Sequence, residues 1–291
     1  MVKVSVCIPS YNAGKFIHRT IKSVLDSACQ HFEIIVNDDA STDNTADIVH
    51  SFQDSRIRFY QNDTNTGPVK NWNLAVKNAT GEYVSLLNHD DLYGPFWLSF
   101  AVHNLEKHPH IGWIATAFRV IDENENTLKI VSRFPKTGEI NKADAFLEVS
   151  KLNGLGPGFI ARKSVLEEIG YYDEDAGPSA DNDLFLRLAA RFSLCYSATN
   201  PLTAWRLHQT NLTNSWGPIE QGIEGFRMLN KIFDDPTLPL ELQQFRESSL
   251  NYFYRKLKNK AVKYLNSNEK YIYDEFINIL RSNGFYEPYE P

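Results

Sequence analysis

Cysteine is scarce in this chain: Cys7, Cys29 and Cys195 are the only three in 291 residues. Three scattered thiols build neither a disulfide framework nor a thiolate metal site, so they are expected to fill the core in a reducing compartment. No apolar run reaches the roughly 18 residues that span a bilayer. The opening stretch, Val2 to Ile8 before Pro9, has neither the basic leader nor the long apolar segment of a secretory signal. A soluble, intracellular protein is therefore expected. Surplus positive charge is also lacking. The formal net charge is −6, which argues against a nonspecific grip on nucleic acid. Both common glycine-rich phosphate loops are missing as well. After the first strand stands Pro9-Ser10-Tyr11-Asn12-Ala13-Gly14, not Gly-x-Gly-x-x-Gly, and no loop ends in Gly-Lys-Ser/Thr.

What is present is material for a large core: 42% of residues are hydrophobic and 13% aromatic, a composition incompatible with disorder. Strand and helix patterns alternate through the first 110 residues. Val2–Ile8, Phe32–Val36, Ile57–Tyr60, Tyr83–Leu87 and Ile111–Val120 read as strands. Between them, helices are expected near Lys15–Ala28, from Ser41 or Thr42 onward, over Val69–Ala79 and over Phe96–Leu105. Short connections of this kind build βαβ units and a mostly parallel sheet. The second half is less regular. Asp122–Asn126 reads as a polar hairpin, Asn153–Gly158 as a glycine-rich loop, Ser164–Ile169 as a helix capped by Gly170, and Asp183–Ala190 as another helix. The tail is helical, with Leu250, Phe253, Leu257, Ala261 and Tyr264 along one face and a break at Asp235-Pro236.

Two acidic clusters close two of these strands. Asp38-Asp39 follows Phe32–Asn37, and Asn88-His89-Asp90-Asp91 follows Tyr83–Leu87. Acids at the carboxyl ends of parallel strands converge on one crevice, where they suit a metal ion better than a core. Carboxylates repel phosphate, so the pattern points to a divalent cation bridging to a phosphate-bearing ligand.

In order along residues 3–215, the chain resembles the family 2 glycosyltransferases, inverting enzymes of the GT-A fold that use nucleotide-sugar donors. The resemblance is carried by Val6-Cys7-Ile8-Pro9-Ser10-Tyr11-Asn12, then Val36-Asn37-Asp38-Asp39-Ala40-Ser41-Thr42-Asp43, then Asn65-Thr66-Gly67-Pro68 and Asn73–Asp91. It continues through Gly158–Leu166, Ala180–Leu188 and Arg206-Leu207-His208. It implies an α/β fold with a mostly parallel central sheet, flanking helices and a C-terminal helical extension. The corresponding division is a catalytic domain over 1–215, with a nucleotide-binding half at 1–110 and an acceptor-side half at 111–215, followed by helices at 216–291.

The same resemblance assigns roles. Tyr11 would stack on uracil in a loop directed by Pro9, and Asp39 would accept the base N–H. Asp38 would support the loop or ribose, or cap Ser41. Asp90 matches the last acid of the family's Asp-x-Asp signature and would hold Mn2+ or Mg2+ beside the donor diphosphate. Asn88 replaces the signature's first acid and brings no charge, although its amide can still bond ribose. His89 reads as solvent-facing, and Asp91 as orienting Asp90. Asp181 would be the general base, with Asp183 its rival, and Ala180 stands where the family has another acid. His208 would reach the metal or diphosphate, and Arg206 a phosphate. Trp72 reads as core packing, and Gly156-Pro157-Gly158 as a close backbone approach to sugar or acceptor.

The implied reaction is inverting transfer from a UDP-sugar, or a TDP-sugar, to a saccharide or polyprenyl-linked saccharide, with envelope polysaccharide among its destinations. A nucleotidyltransferase and a catalytically idle sugar-nucleotide binder or scaffold of the same fold are the alternatives. The cluster Arg255, Lys256, Lys258, Lys260 and Lys263 leaves two options open: a solvated helix face, or peripheral contact with an anionic membrane at the inner face of the plasma membrane.

Overall fold

A computed structural model describes residues 3–151, 154–214, 217–265, 267–282 and 284. Val2 and Asn153, each placed above in an element or loop, and the expected boundary at 215/216 lie outside the described residues. The first half runs β1 Val4–Ser10, α1 Ile17–Leu25, β2 Phe32–Asp38, α2 Thr45–Ser51, β3 Ile57–Gln61, α3 Pro68–Lys77, β4 Tyr83–Leu86, β5 Leu92–Tyr93, α4 Trp97–Lys107 and β6 Ile111–Thr116. It continues with β7 Phe118–Ile121, β8 Thr127–Val131, β9 Gly138–Ile140, α5 Lys142–Val149, β10 Phe159–Arg162, α6 Lys163–Ile169, α7 Ala180–Arg191, β11 Ser193–Ser197 and β12 Thr203–Arg206. Helices α8 Pro218–Asp234, α9 Leu240–Gln243, α10 Arg246–Leu265 and α11 Lys270–Ser282 follow.

Eight strands form the central sheet in the order β3-β2-β1-β4-β10-β6-β11-β9, and β5-β12-β7-β8 form a smaller one. Strands β3, β2, β1 and β4 are mutually parallel, which places the carboxyl ends of β1, β2 and β4 on one edge. The sheet as a whole is mixed, because β10 runs antiparallel to both β4 and β6. Every residue of β1 and β2 is buried, as expected for parallel strands covered by helices on both faces. Cys7 and Cys195 fill this core, and Cys7 Sγ donates to the Ala75 carbonyl at 3.3 Å.

Several boundaries shift for identifiable reasons. Helix α2 starts at Thr45 rather than at Ser41 or Thr42, because those two amides are already taken by Asp38 Oδ2 and Asn12 Oδ1, each at 2.9 Å. Asp43 then serves the helix start, accepting from the Thr45 amide at 3.0 Å. The expected single strand Ile111–Val120 breaks at Ala117, whose amide donates to the Ser197 carbonyl at 2.7 Å as the chain crosses into the small sheet. Helix α3 opens with Pro68 after Gly67 at φ +87, and α6 closes on Gly170 in the left-handed region as expected. The C-terminal helices share the main core: Phe226, Phe253, Leu257 and Phe276 pack in the same cluster as Phe146, Ala176 and Phe185.

Gly156 combines a left-handed φ of +76 with a crowded site, since a Cβ there would lie 2.4 Å from Phe118 Cδ1. Gly154 has φ +64 and open space. Gly154→Ala is expected to cost about 1 kcal/mol from backbone strain alone. Gly156→Ala is expected to cost more, about 2–3 kcal/mol, because Phe118 must also shift. Urea denaturation of both variants checks the difference.

Candidate active site

The carboxyl edge of the parallel strands opens into one cleft of about 770 Å³. Pro9, Tyr11, Asp39, Asn88, Asp90, Asp181 and His208 all line it. These residues come from the ends of β1, β2 and β4, the start of α7 and the loop after β12, and only the sheet topology brings them together.

Tyr11 is 46% exposed, so its ring face is open to the cleft. Asp39 is almost wholly buried and is already engaged. Its Oδ1 accepts from Asn62 Nδ2 at 2.7 Å and from the Thr66 amide and hydroxyl, both at 2.9 Å. Its Oδ2 accepts only from the Gly67 amide at 2.9 Å, which leaves one acceptor direction facing the cleft. Asp38 takes the capping role of its two readings. It holds the Ser41 amide at 2.9 Å and hydroxyl at 2.5 Å, and it accepts from Ser10 Oγ at 3.1 Å.

Asp90 Oδ2 lies 2.8 Å from His208 Nε2 and 3.3 Å from Asn211 Nδ2. Burial would raise the Asp90 carboxyl, but the His208 hydrogen bond and the neighbouring imidazoles outweigh it and hold the group below the ordinary carboxylate range. Asp91 goes the other way. Burial first, then the charge of Asp90, pushes it well above that range, while its Oδ1 accepts the Arg206 amide at 2.9 Å. Of two adjacent acids, one is thus kept ionised towards the cleft and the other serves the frame. Asn88 Nδ2 lies 3.5 Å from Asp91 Oδ2. His89 is not solvent-facing as expected. It is half-buried along the cleft wall, with Nδ1 3.3 Å from the Pro9 carbonyl.

Among the described residues, no group of three or more His, Cys, Asp or Glu is placed to hold a metal ion. Asp90 and His208 do fit part of a shell. Their 2.8 Å separation is close to the edge, about 3.0 Å, of an octahedron with ligands at about 2.1 Å. Such a cation takes its remaining ligands from phosphate and water, so a two-residue site fits a diphosphate-bound Mg2+ or Mn2+.

Arg206 is a correction. It does not line the cleft and is fully buried. Its Nε donates to the Asp90 carbonyl at 2.8 Å, Nη1 to the Glu123 carbonyl at 3.2 Å, and Nη2 to Glu125 at 3.2 Å, with the guanidinium over the Phe16 ring. A cation so enclosed has no direction left for a phosphate. It braces the acidic loop instead.

Asp181 stands in the first turn of α7 and is half-buried, with Oδ1 accepting the Asn182 amide at 2.8 Å. A helix amino terminus favours the ionised form. Desolvation is the larger effect here and raises its carboxyl above the ordinary range. Asp183 is buried on Arg187, 2.5 Å away, and does not line the cleft, which removes it as a rival. Gly156 and Pro157 do approach the cleft, and Trp72 both packs edge-on against Tyr172 and lines the wall.

Sequence reasoning missed two contributions. Asn211 bridges Asp90, the Arg206 carbonyl and the His208 amide, and Phe16 lies against His208 with ring centroids 4.6 Å apart. The spacing of three between His208 and Asn211 was legible, but its meaning depends on a loop conformation. The other omission is basic: Arg133, Lys256 and Lys260 also line this cleft. The tail cluster is therefore split: Lys256 and Lys260, one helical turn apart on α10, line the cleft, and Arg255, Lys258 and Lys263 do not.

If Arg206 is a brace, Arg206→Ala is expected to lower global stability by about 2–4 kcal/mol, because the Asp90 and Glu123 carbonyls lose their guanidinium donors and the buried side chain leaves a void. A phosphate contact would instead weaken nucleotide binding at unchanged stability. Thermal unfolding and calorimetric titration with UDP separate the two.

Residues 5–170 match the family described as glycosyl transferase family 2. An uncharacterized glycosyltransferase of Rickettsia typhi is 30% identical over 215 residues, covering 73% of this chain and 66% of its own length. The putative glycosyltransferase EpsE of Bacillus subtilis is 34% identical over 148 residues, covering 50% of this chain and 53% of its own. The matched regions thus span from about half to just under two thirds of these relatives' lengths. In three dimensions, S. aureus TarS solved with UDP-GlcNAc aligns over 97% of this chain and 80% of its own, at 22% identity and a TM-score of 0.80. A mannosyltransferase of Pyrobaculum calidifontis, solved with GDP-Man and Mn2+, aligns over 97% and 75% at 17% identity and a TM-score of 0.64. At these identities the two structures speak for the fold, which is that of GT-A glycosyltransferases. With a family match across more than half its length, the chain belongs to glycosyl transferase family 2.

Proposed function

We propose that this chain is an inverting glycosyltransferase that moves a sugar from a UDP-sugar to a hydroxyl of a saccharide or polyprenyl-linked saccharide acceptor. One observation carries the reading: Tyr11, Asp39, the Asp90–His208 pair and Asp181 line a single cleft. The ring of Tyr11 stacks on the base, and Asp39 Oδ2 accepts the imide N–H that uracil and thymine share. Asp90 and His208 hold a divalent cation, Mn2+ or Mg2+, which when bound neutralises charge on the departing diphosphate. Asn88 bonds ribose without adding charge. Asp181 takes the proton of the acceptor hydroxyl as that oxygen bonds to the anomeric carbon, on the face opposite the nucleotide. No covalent sugar–enzyme intermediate is needed, so no nucleophilic serine or thiol is required.

The name of a Bacillus subtilis relative, a putative teichuronic acid biosynthesis glycosyltransferase 43% identical over 90 residues, supports a place in cell-envelope polysaccharide assembly. The UDP-GlcNAc complex of S. aureus TarS supports the uridine donor. No helix among the described residues is long and apolar enough to cross a membrane.

Asp181→Asn is expected to lower kcat by about 10²–10⁴-fold with little change in UDP affinity. Unchanged turnover would leave a different base, or an idle binder. The sign of the pH dependence follows from the raised Asp181 carboxyl. The base form disappears as pH falls through a pKa above the free-aspartate value of about 3.9, so the acid limb of kcat/KM should lie above that value. UDP release from UDP-sugars across pH measures it. Asp90→Asn is expected to abolish any gain in UDP affinity on adding Mn2+ while leaving metal-free binding within about threefold; calorimetry with UDP, with and without Mn2+, reads this out.

A further inference from the structure

The chain carries 30 basic and 36 acidic side chains, yet one end of the cleft is basic. Arg133, Lys256 and Lys260 converge there from the segment after β8 and from α10. Their position relative to the catalytic residues is defined. Arg133 and Asn182 together border a small recess beside the cleft, and Asn182 directly follows Asp181. Arg133 therefore lies on the Asn182 side of the cleft, with Lys256 and Lys260 near it, whereas Asp90 and His208 occupy the strand-end side.

Each cation is held in place by the frame. Arg133 Nε donates to the Gly154 carbonyl at 2.8 Å, and its guanidinium sits 5.9 Å from the centre of the Phe118 ring. Lys260 Nζ reaches Gln221 Oε1 at 3.3 Å. Lys256 stays open to the water of the cleft while protein closes round its other sides. That partial desolvation, with Arg133 and Lys260 nearby, pushes its ammonium down to about 8. Acids approach from the Arg133 side: Glu148 borders the recess and is itself paired with Lys151. Positive charges crowded against one another in a concave wall attract an anion strongly, because low-dielectric walls focus the field.

We propose that Arg133, Lys256 and Lys260 form an acceptor subsite for an anionic saccharide, one carrying a phosphodiester or carboxylate, which leaves the proton of its reacting hydroxyl to Asp181. This rests on the assignment of Asp181 as the base. The basic residues of α10 then serve substrate recognition on their cleft side, whatever the exposed Arg255 and Lys263 do. The three cations are binding residues.

The test is calorimetric titration of the full chain, saturated with UDP and Mn2+, with three probes: a glycerol phosphate trimer, a glucuronic acid disaccharide and neutral maltotriose. At least one anionic probe is expected to bind tenfold or more tightly than maltotriose, and the better of the two identifies the anion. The double variant K256Q/K260Q, whose side chains remain polar and whose folding is checked by thermal melt, is expected to lose that preference while UDP affinity stays within twofold. Equal binding of neutral and anionic probes, or binding of none, overturns the proposal. So does a tenfold loss of UDP affinity in the variant, which would assign the lysines to the donor diphosphate. Failure of the wild-type chain to bind UDP would instead overturn the donor reading.

Discussion

The buried guanidinium of Arg206 is the interaction on which the cleft depends. It leaves the last residue of β12 and binds the backbone of the acidic loop at Asp90, while its own amide is held by Asp91. The same side chain reaches Glu123 and Glu125 in the β7–β8 hairpin. One residue thereby ties the central sheet's active edge to the smaller sheet. Burying such a charge is costly unless it is paired, and here each of the three guanidinium nitrogens has a carbonyl or carboxylate acceptor and the Phe16 ring faces the group.

That brace sets the electrostatics of the loop. With Asp91 turned inward to the Arg206 amide, its charge is disfavoured, and Asp90 alone presents an ionised oxygen to the cleft beside His208. Asp39 shows a related economy: most of its acceptor capacity orders the Asn62–Gly67 loop, and one direction remains for a ligand. Asp181 differs from both. It is held by few hydrogen bonds and by desolvation, the environment that keeps a carboxylate basic enough to take a proton.

The βα alternation, the burial of β1 and β2, the Gly170 cap and the apolar face of α10 were all legible, because each follows from local periodicity or turn chemistry. The start of α2 was not, because Asn12 and Asp38 satisfy amides that would otherwise have joined the helix. The break in Ile111–Val120 was hidden for a similar reason. An apolar run carries no mark of which of two sheets it will join. At the site, Tyr11, Asp39, Asp90, Asp181 and His208 were singled out by the family resemblance, and all line the cleft. Arg206 was misread because a surface contact and a buried brace have the same one-letter identity.

By itself the sequence determined which strands would be buried, where acids would close them and which family pattern they follow, since these are properties of neighbouring residues. The antiparallel insertion of β10, the opposite ionisation of Asp90 and Asp91, the inward turn of Arg206 and the arrival of Lys256 and Lys260 in the same cleft as Asp181 were decided only by the tertiary structure. Each depends on contacts between segments far apart in the chain, and a charge's role is set by the partners and water that the fold leaves around it.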